Sequence, residues 1–387
     1  MQIVYANEEF PKEAEKMIFL VGPTPRKEGV ISWRIEALRI LEESGYNGHV
    51  FVPEPRDGKW QRDYYSQIRW EKKGLAMADC ILCWIPRSKD FPAYTTNTEV
   101  GMYASSGKIV LGAPKDAPKM KYLRALGEDY NVPQAETLES TVKKAMEMLG
   151  AGALRRNGEC DVPLHIWNTS SFQEWYQSQK AAGNRLDGAK IEWTFWVDRK
   201  ARLLFFWALH VDVHIAAEGR NKTNEVVIGR PVISSVVMYK KGKNIMDTQV
   251  VLVKEFRSPA STVDGFICEL PGGSSFKPIE SHLVLAADEA EEETGLKIGA
   301  NRLKLHSARQ LMGTLSAHRA HLFSLELDPV EIEDIEKNRD IAFGIEEDSE
   351  RTYVGIYKFE EILKSNFVDW STIGMISAVL MEIYGNK

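Results

Sequence analysis

From Met17 to about Gly150 the chain alternates unbroken apolar runs with segments whose apolar residues recur at helical spacing. MIFLVG is a short apolar run that ends at Gly22-Pro23. SWRIEALRILEESG has helical spacing and stops at Gly45. HVFVPEP, CILCWIP and KIVLGAP read as further strands. RDYYSQIRWEKKGLAMA, NTEVGMYASSG and TLESTVKKAMEMLG read as the helices between and after them. Alternating strand and helix units predict an α/β block: a parallel sheet, here of five strands, with helices on both faces. Such sheets bind ligands at the carboxyl ends of their strands.

The second half has a different rhythm. Residues 151–190 carry few signals; LHIWNTSSFQEWYQSQKAAGNRLDG reads as a loop plus an amphipathic helix. It is either a linker or the start of the next domain. After Lys190 strand-like runs dominate: IEWTFWV, ARLLFFWALHVDVHIA, PVISSVVMYKKGK and TQVVLVKEFR. LVLAADEAEEETG is a helix, HRAHLFSLEL and RTYVGIYKF are strands, and WSTIGMISAVLMEIY is a closing amphipathic helix. Strands around one acidic helix predict a mixed α+β sandwich. The expected organisation is therefore a domain at 1–150, a connecting segment at 151–190 and a second domain at 191–387. Two domains are also what 387 residues predict.

Composition narrows the partners. The net charge is −6 and no long Lys/Arg block occurs, which disfavours nucleic-acid binding through phosphates. The most apolar stretch, Leu203–Val211, is about half the length a membrane span needs. No basic segment followed by an apolar core opens the chain, so a soluble, cytoplasmic protein with no membrane partner is expected. Four cysteines are too few and too scattered for a disulfide framework. Cys80 and Cys83 form a C-x-x-C pair, but inside a strand they point to opposite faces. Packed thiols and a redox or metal pair both stand at this point, the first favoured by that geometry.

Candidate chemistry in the first half lies at strand ends. Gly22-Pro23-Thr24-Pro25-Arg26 places a tight turn, a hydroxyl and a guanidinium at the mouth of the sheet. The turn is either a plain surface loop or a cradle for a phosphate or sugar oxygen. Thr95-Thr96-Asn97-Thr98-Glu99-Val100-Gly101 places Glu99 in the first turn of a helix at the same edge, as a capping-box glutamate or as a site carboxylate.

FLVGPTPR, SWRIEAL, VPEP, the YSQIRWE helix, ADCILCWIPR, TTNTEVG and GKIVLGAP, in that order and spacing over roughly residues 17–125, resemble the nucleoside 2-deoxyribosyltransferase-like family. The resemblance implies a flavodoxin-like sheet in which a carboxylate attacks the anomeric carbon. Glu99 would be that nucleophile, and the glycosyl ester would pass its sugar to a base or to water. A second acid has to protonate or orient the leaving base; Glu71 is the candidate, against the alternative of a solvated helix glutamate beside Lys72 and Lys73. The resemblance makes Gly22, Pro23, Thr24, Arg26, Asp79 and Asn97 substrate-binding or site-organising residues. Ala93 stands where transferases carry another acid, so transfer and hydrolysis both remain open.

In the second half, Pro271-Gly272-Gly273, Glu280 and Asp288-Glu289-Ala290-Glu291-Glu292-Glu293-Thr294-Gly295-Leu296 resemble a Nudix box, and the resemblance implies an α/β/α sandwich. On a helix, Glu289 and Glu293 share a face at i,i+4, with Glu292 adjacent. These three carboxylates are candidate ligands for Mg²⁺ or Mn²⁺. An acidic solvated helix is the alternative. Two departures stand out: six residues rather than five separate Gly273 from Glu280, and Asp288 replaces the family's arginine. VLVKEFRSP and ICELPGG resemble the ADP-ribose pyrophosphatase branch. By that resemblance Arg257 contacts phosphate or ribose, Glu269 lies near the metal or adenosine, Glu346 or Glu347 is the general base, and a homodimer or higher homo-oligomer is expected. The sequence thus predicts a bifunctional enzyme acting on small-molecule nucleosides or nucleotides: glycosyl cleavage or transfer, plus metal-dependent hydrolysis of a compound such as ADP-ribose. The alternative is a glycosidase with an inactive Nudix module that senses ADP-ribose or NAD-like ligands.

Overall fold

A computed structural model describes residues 1–25, 29–60, 63–89, 91–274, 281–344 and 351–385. The chain divides into two compact units, Met1–Gly229 and Arg230–Lys387.

The first unit opens with β1 (Gln2–Tyr5), β2 (Glu13–Ala14) and β3 (Met17–Val21), then alternates α1 (Trp33–Glu43), β4 (His49–Val52), α2 (Tyr64–Met77), β5 (Cys80–Trp84), α3 (Tyr94–Tyr103), β6 (Ile109–Gly112), α4 (Lys121–Asp129), β7 (Gln134–Ala135) and α5 (Leu138–Leu149). The sheet order is β1-β4-β3-β5-β6-β7, and every pairing is parallel. Six strands replace the expected five. No apolar run marks β1 or β7, because only Val4 of β1's four residues and neither residue of β7 is buried. The central strands are unbroken apolar runs for a physical reason: both faces are covered. Phe19, Phe51, Trp70 and Ile81 pack on one face; Ile18, Leu41, Val50, Leu82 and Val142 pack on the other. Cys83 belongs to the first layer and Cys80 to the second. Burial pushes the Cys80 thiol up to about 12 and Cys83 well above the usual thiol range. They are packed thiols.

The remainder of this unit is β8 (Arg155–Arg156), α6 (Leu164–Trp167), α7 (Ser170–Ala181) and a three-stranded antiparallel sheet of β9 (Arg185–Asp198), β10 (Leu203–Ile215) and β11 (Arg220–Gly229). Trp207 on β10 donates to Ser171 Oγ at 2.9 Å and packs against Phe172 and Trp175 of α7. Residues 191–229, which the hydropathy pattern places with the second domain, therefore lie in the first compact unit. Asp79, at the amino end of β5, ties this part to the main sheet. Its carboxylate accepts from Arg155 Nη1 at 2.7 Å and Nη2 at 2.6 Å. It also accepts the Met17 and Leu164 backbone N–H groups, both at 2.9 Å. Both partners of this ion pair are fully buried.

The second unit comprises β12 (Ile233–Lys240), β13 (Gln249–Phe256), β14 (Phe266–Glu269), β15 (Gly272–Gly273), α8 (His282–Thr294), β16 (Lys304–Gln310), β17 (Arg319–Glu326), α9 (Pro329–Lys337), β18 (Ala342–Phe343), β19 (Thr352–Lys358), α10 (Phe359–Lys364) and α11 (Trp370–Gly385). Its mixed sheet runs β16-β17-β12-β13-β19-β18, with β14 on β13 and β15 on β12. β12 and β17 pair in parallel, with antiparallel neighbours on either side. Alternate residues of β12 face opposite helix layers. Val236 and Met238 meet α8 and α9; Val237 and Tyr239 meet α10 and α11. Helices on both faces of a mixed sheet form an α/β/α sandwich. Among the described residues no helix is long and apolar enough to cross a membrane.

The buried pair of Asp79 and Arg155 carries a prediction. Removing one partner leaves an uncompensated buried charge, so Asp79→Ala should lower the unfolding free energy by about 3–5 kcal/mol. Urea denaturation measures this; a loss below about 1 kcal/mol would show that the pair does not anchor residues 155–164.

Candidate active site

The carboxyl ends of β3, β4 and β5 open into a cavity of about 420 Å³, within the range of small-ligand sites. Val21 to Pro25 after β3, Pro53 after β4, Gln67 and Glu71 of α2, and Ala93 to Thr96 with Glu99 of α3 line it, together with Arg34 of α1. Trp60, Tyr64 and Tyr94, each more than half exposed, form an aromatic rim. The turn after β3 requires glycine by close approach: a Cβ on Gly22 would sit 2.3 Å from the Trp84 carbonyl oxygen and 2.6 Å from the Trp33 ring.

Arg34 organises this turn. It is 2 % exposed. Its Nε donates to the Leu20 carbonyl at 3.2 Å, Nη2 to the Gly22 carbonyl at 2.6 Å, and Nη1 to Glu54 at 2.7 Å and Thr24 Oγ1 at 3.3 Å. Trp33 Nε1 donates to the Pro23 carbonyl at 3.1 Å. The turn therefore takes its shape from α1. Its Arg26 lies outside the described residues.

Glu71 and Glu99 meet at this cavity. Burial, and after it the charge of Glu71, push the Glu99 carboxyl up to about 7, with Arg34 opposing. Burial also raises Glu71, while a hydrogen bond from Gln67 and the charge of Arg34 pull it down. Glu99 is not a capping residue. α3 begins at Tyr94, with Ala93 in the left-handed region at φ 57° and no side-chain cap, which places Glu99 in the second turn rather than the first. Ala93 itself lines the cavity. Glu71 is no surface glutamate: Gln67 Nε2 donates to its Oε1 at 2.7 Å.

Two expected site residues lie elsewhere. Asp79 sits at the opposite, amino end of β5 with its four hydrogen bonds described above, and it holds the fold rather than the cavity. Asn97 is outside the lining and accepts a hydrogen bond from Arg87. The sequence reading missed Arg34, Glu54 and Gln67. A signal existed for Arg34, since it falls at helical spacing with the buried Ala37 and Leu41. A charge inside an apolar stripe needs a partner.

In the second unit, Glu293 Oε2 accepts the Gly272 N–H at 2.8 Å. The Glu289 carboxylate lies so close to Gly273 that a Cβ there would be 2.3 Å from Oε2. Both glutamates thus face β15, whereas Glu292 and Asp288 are exposed. Among the described residues no group of three or more His, Cys, Asp or Glu side chains is placed to hold a metal ion. Glu280, Glu346 and Glu347 lie outside the described residues. Arg257 joins Glu269 at 2.9 Å and Glu255 at 2.8 Å. Near β15, the His282 and His321 rings stack at 3.6 Å, and burial followed by Arg230 pushes His318 down to about 4.

Residues 15–117 match the family model described as nucleoside 2-deoxyribosyltransferase like. The match supports a domain of that kind and points to an enzyme of ribosyl transfer or glycosidase activity. No curated protein matches the chain.

The raised Glu99 carboxyl has a consequence for stability. Between its ordinary value of 4.5 and about 7, the folded chain holds a proton that the unfolded chain has lost. The stability this contributes is full below about 4.5 and is lost as pH rises through about 7. Glu99→Gln should therefore match wild type near pH 4. At pH 8 it should be more stable by up to about 3 kcal/mol, read as a higher Tm. A Tm difference that ignores pH would contradict the assignment.

Proposed function

We propose that the first unit cleaves the N-glycosidic bond of a nucleoside or nucleotide by a double displacement. Glu99, ionised, attacks C1′; the bond from C1′ to the base breaks, and an ester forms between C1′ and the Glu99 carboxylate. The departing base takes the proton of Glu71. Water or a second base then attacks C1′, gives its proton to Glu71 and releases Glu99. One observation carries the reading: two carboxyl groups converge on one nucleoside-sized cavity at the carboxyl edge of the sheet, under an aromatic rim suited to a planar base. The family match over residues 15–117 supports the reaction class.

Two carboxyls that share a cavity, Glu99 raised in part by the charge of Glu71, titrate as a pair. The active form, with Glu99 ionised and Glu71 protonated, is one proton isomer of the singly protonated pair. Base release should follow a bell-shaped pH profile that falls as pH rises through about 7, where the second proton leaves. A panel of nucleosides, nucleotides, NAD and ADP-ribose, read by mass spectrometry, identifies the substrate. On that substrate Glu99→Gln should abolish base release with the fold intact; release at the wild-type rate removes Glu99 from the mechanism.

For the second unit we favour binding over hydrolysis: a Nudix-type module that senses ADP-ribose or an NAD-like ligand. The sandwich architecture and the Gly272-Gly273 strand held by Glu293 support the module. The exposure of Glu292 and the bond that Glu293 accepts from the Gly272 N–H favour the sensor. ADP-ribose should raise the Tm without Mg²⁺-dependent turnover. Turnover with Mg²⁺ or Mn²⁺ would restore the hydrolase reading, and neither binding nor turnover would leave this unit a structural role.

A further inference from the structure

Residues 1–14 precede the matched family segment, yet they reach the cavity wall. After β1 the chain turns at Tyr5–Glu8. Ala6 N–H donates to the Glu54 carbonyl at 3.1 Å and Glu8 N–H to the Tyr5 carbonyl at 3.0 Å. Glu8 pairs with Arg56 at 2.7 Å, and its carbonyl accepts from Trp70 Nε1 at 2.9 Å. The apex, Asn7, adopts the left-handed conformation at φ 65°, which asparagine tolerates better than most side chains. That turn delivers Asn7 Nδ2 to Gln67 Oε1 at 3.2 Å.

Gln67 is 5 % exposed, and its surroundings fix which way its amide faces. Its Nε2 lies 3.4 Å from the Pro53 carbonyl oxygen, which only accepts, and 2.7 Å from Glu71 Oε1. Its oxygen faces the Asn7 amide donor. The nitrogen therefore points at Glu71 and donates. An N–H donor on Oε1 leaves Oε2 as the oxygen of Glu71 that carries a proton.

We propose that Asn7 and Gln67 form a positioning relay for Glu71, by which the N-terminal turn fixes the carboxyl plane and directs its proton to Oε2. The proposal rests on the reading of Glu71 as the acid that protonates the leaving base. Neither relay residue reacts; both act through Glu71. The other charged groups that bear on this carboxyl are Arg34 from α1 and Glu99 from α3. The relay makes an N-terminal segment outside the matched family region part of the working site.

The test uses the full chain with three variants: Asn7→Ala, which alters only the turn apex, Gln67→Leu, and Gln67→Met should the leucine variant fail to fold. Two readouts are taken. The Glu71 carboxyl is titrated by carbon-detected NMR on protein labelled at its glutamate carboxyl carbons, the resonance being assigned with Glu71→Gln. Base release is then followed against pH on the panel substrate. Loss of the donor should move the Glu71 midpoint to higher pH in the Gln67 variant, and less far in Asn7→Ala. The falling limb of kcat should move the same way. kcat should drop by about 10-fold or more, as expected when a proton donor is misplaced, with KM changed less than kcat. A Glu71 midpoint unmoved in the Gln67 variant overturns the relay. If the midpoint moves but no panel compound loses its base in wild type, the relay stands and the glycosidase reading falls.

Discussion

A guanidinium withdrawn from water sets the terms for the first unit. Arg34 reaches three backbone carbonyls and a carboxylate around the turn after β3, and its side chain is 2 % exposed. Burial works against its charge, and Glu54 answers that most strongly. Glu99 and Glu71 add to the same compensation. The turn, the cation and the cavity carboxyls thus form one electrostatic unit. The cation makes a pair of buried carboxyls tolerable, and the carboxyls make the cation tolerable. A lysine in this place would offer a point charge without the planar fork that reaches several oxygens together. In the proposed reaction the fixed donors would also spare the site reorganisation as charge moves between Glu99 and a substrate.

Much of this was legible in the sequence. The unbroken runs MIFLV and CILCW read as strands because a parallel sheet covered on both faces leaves no polar alternation, and the structure has both. The place of Gly22, Thr24, Glu71 and Glu99 along the chain was enough to bring them to one sheet edge. Other parts were not legible. Asp79 reads like a site acid because it adjoins a strand, but it lies at the strand's amino end, and its partner Arg155 is 76 residues away. Asn97 is four residues from the αL Ala93 at the start of α3, and that start depends on the backbone of Ala93 rather than on a capping side chain. Gln67 looks ordinary in YSQIRWE until Asn7 and Pro53 arrive beside it.

The second unit shows the limit of motif reading more sharply. Spacing correctly put Glu289 and Glu293 on one helical face. It did not reveal that this face is occupied by the backbone of Gly272 and Gly273. A carboxylate that holds a backbone N–H is partly satisfied already, and a cation would compete with that bond. The same two glycines are required whichever role the glutamates have, since any side chain on Gly273 would strike Glu289. A sequence pattern therefore locates the strand-and-helix corner without deciding its chemistry.

The central claim is that Glu99 becomes covalently attached to the sugar. A nucleoside fluorinated at C2′ tests it most directly, because the electron-withdrawing fluorine slows hydrolysis of a glycosyl ester through its oxocarbenium-like transition state. The enzyme is incubated with this compound, quenched in acid, digested and mapped by mass spectrometry. The account predicts one modified peptide, containing Glu99 and heavier by the fluorinated sugar, formed together with one equivalent of free base. Stoichiometric base release with the sugar on another residue, or steady base release with no attached sugar, would contradict it.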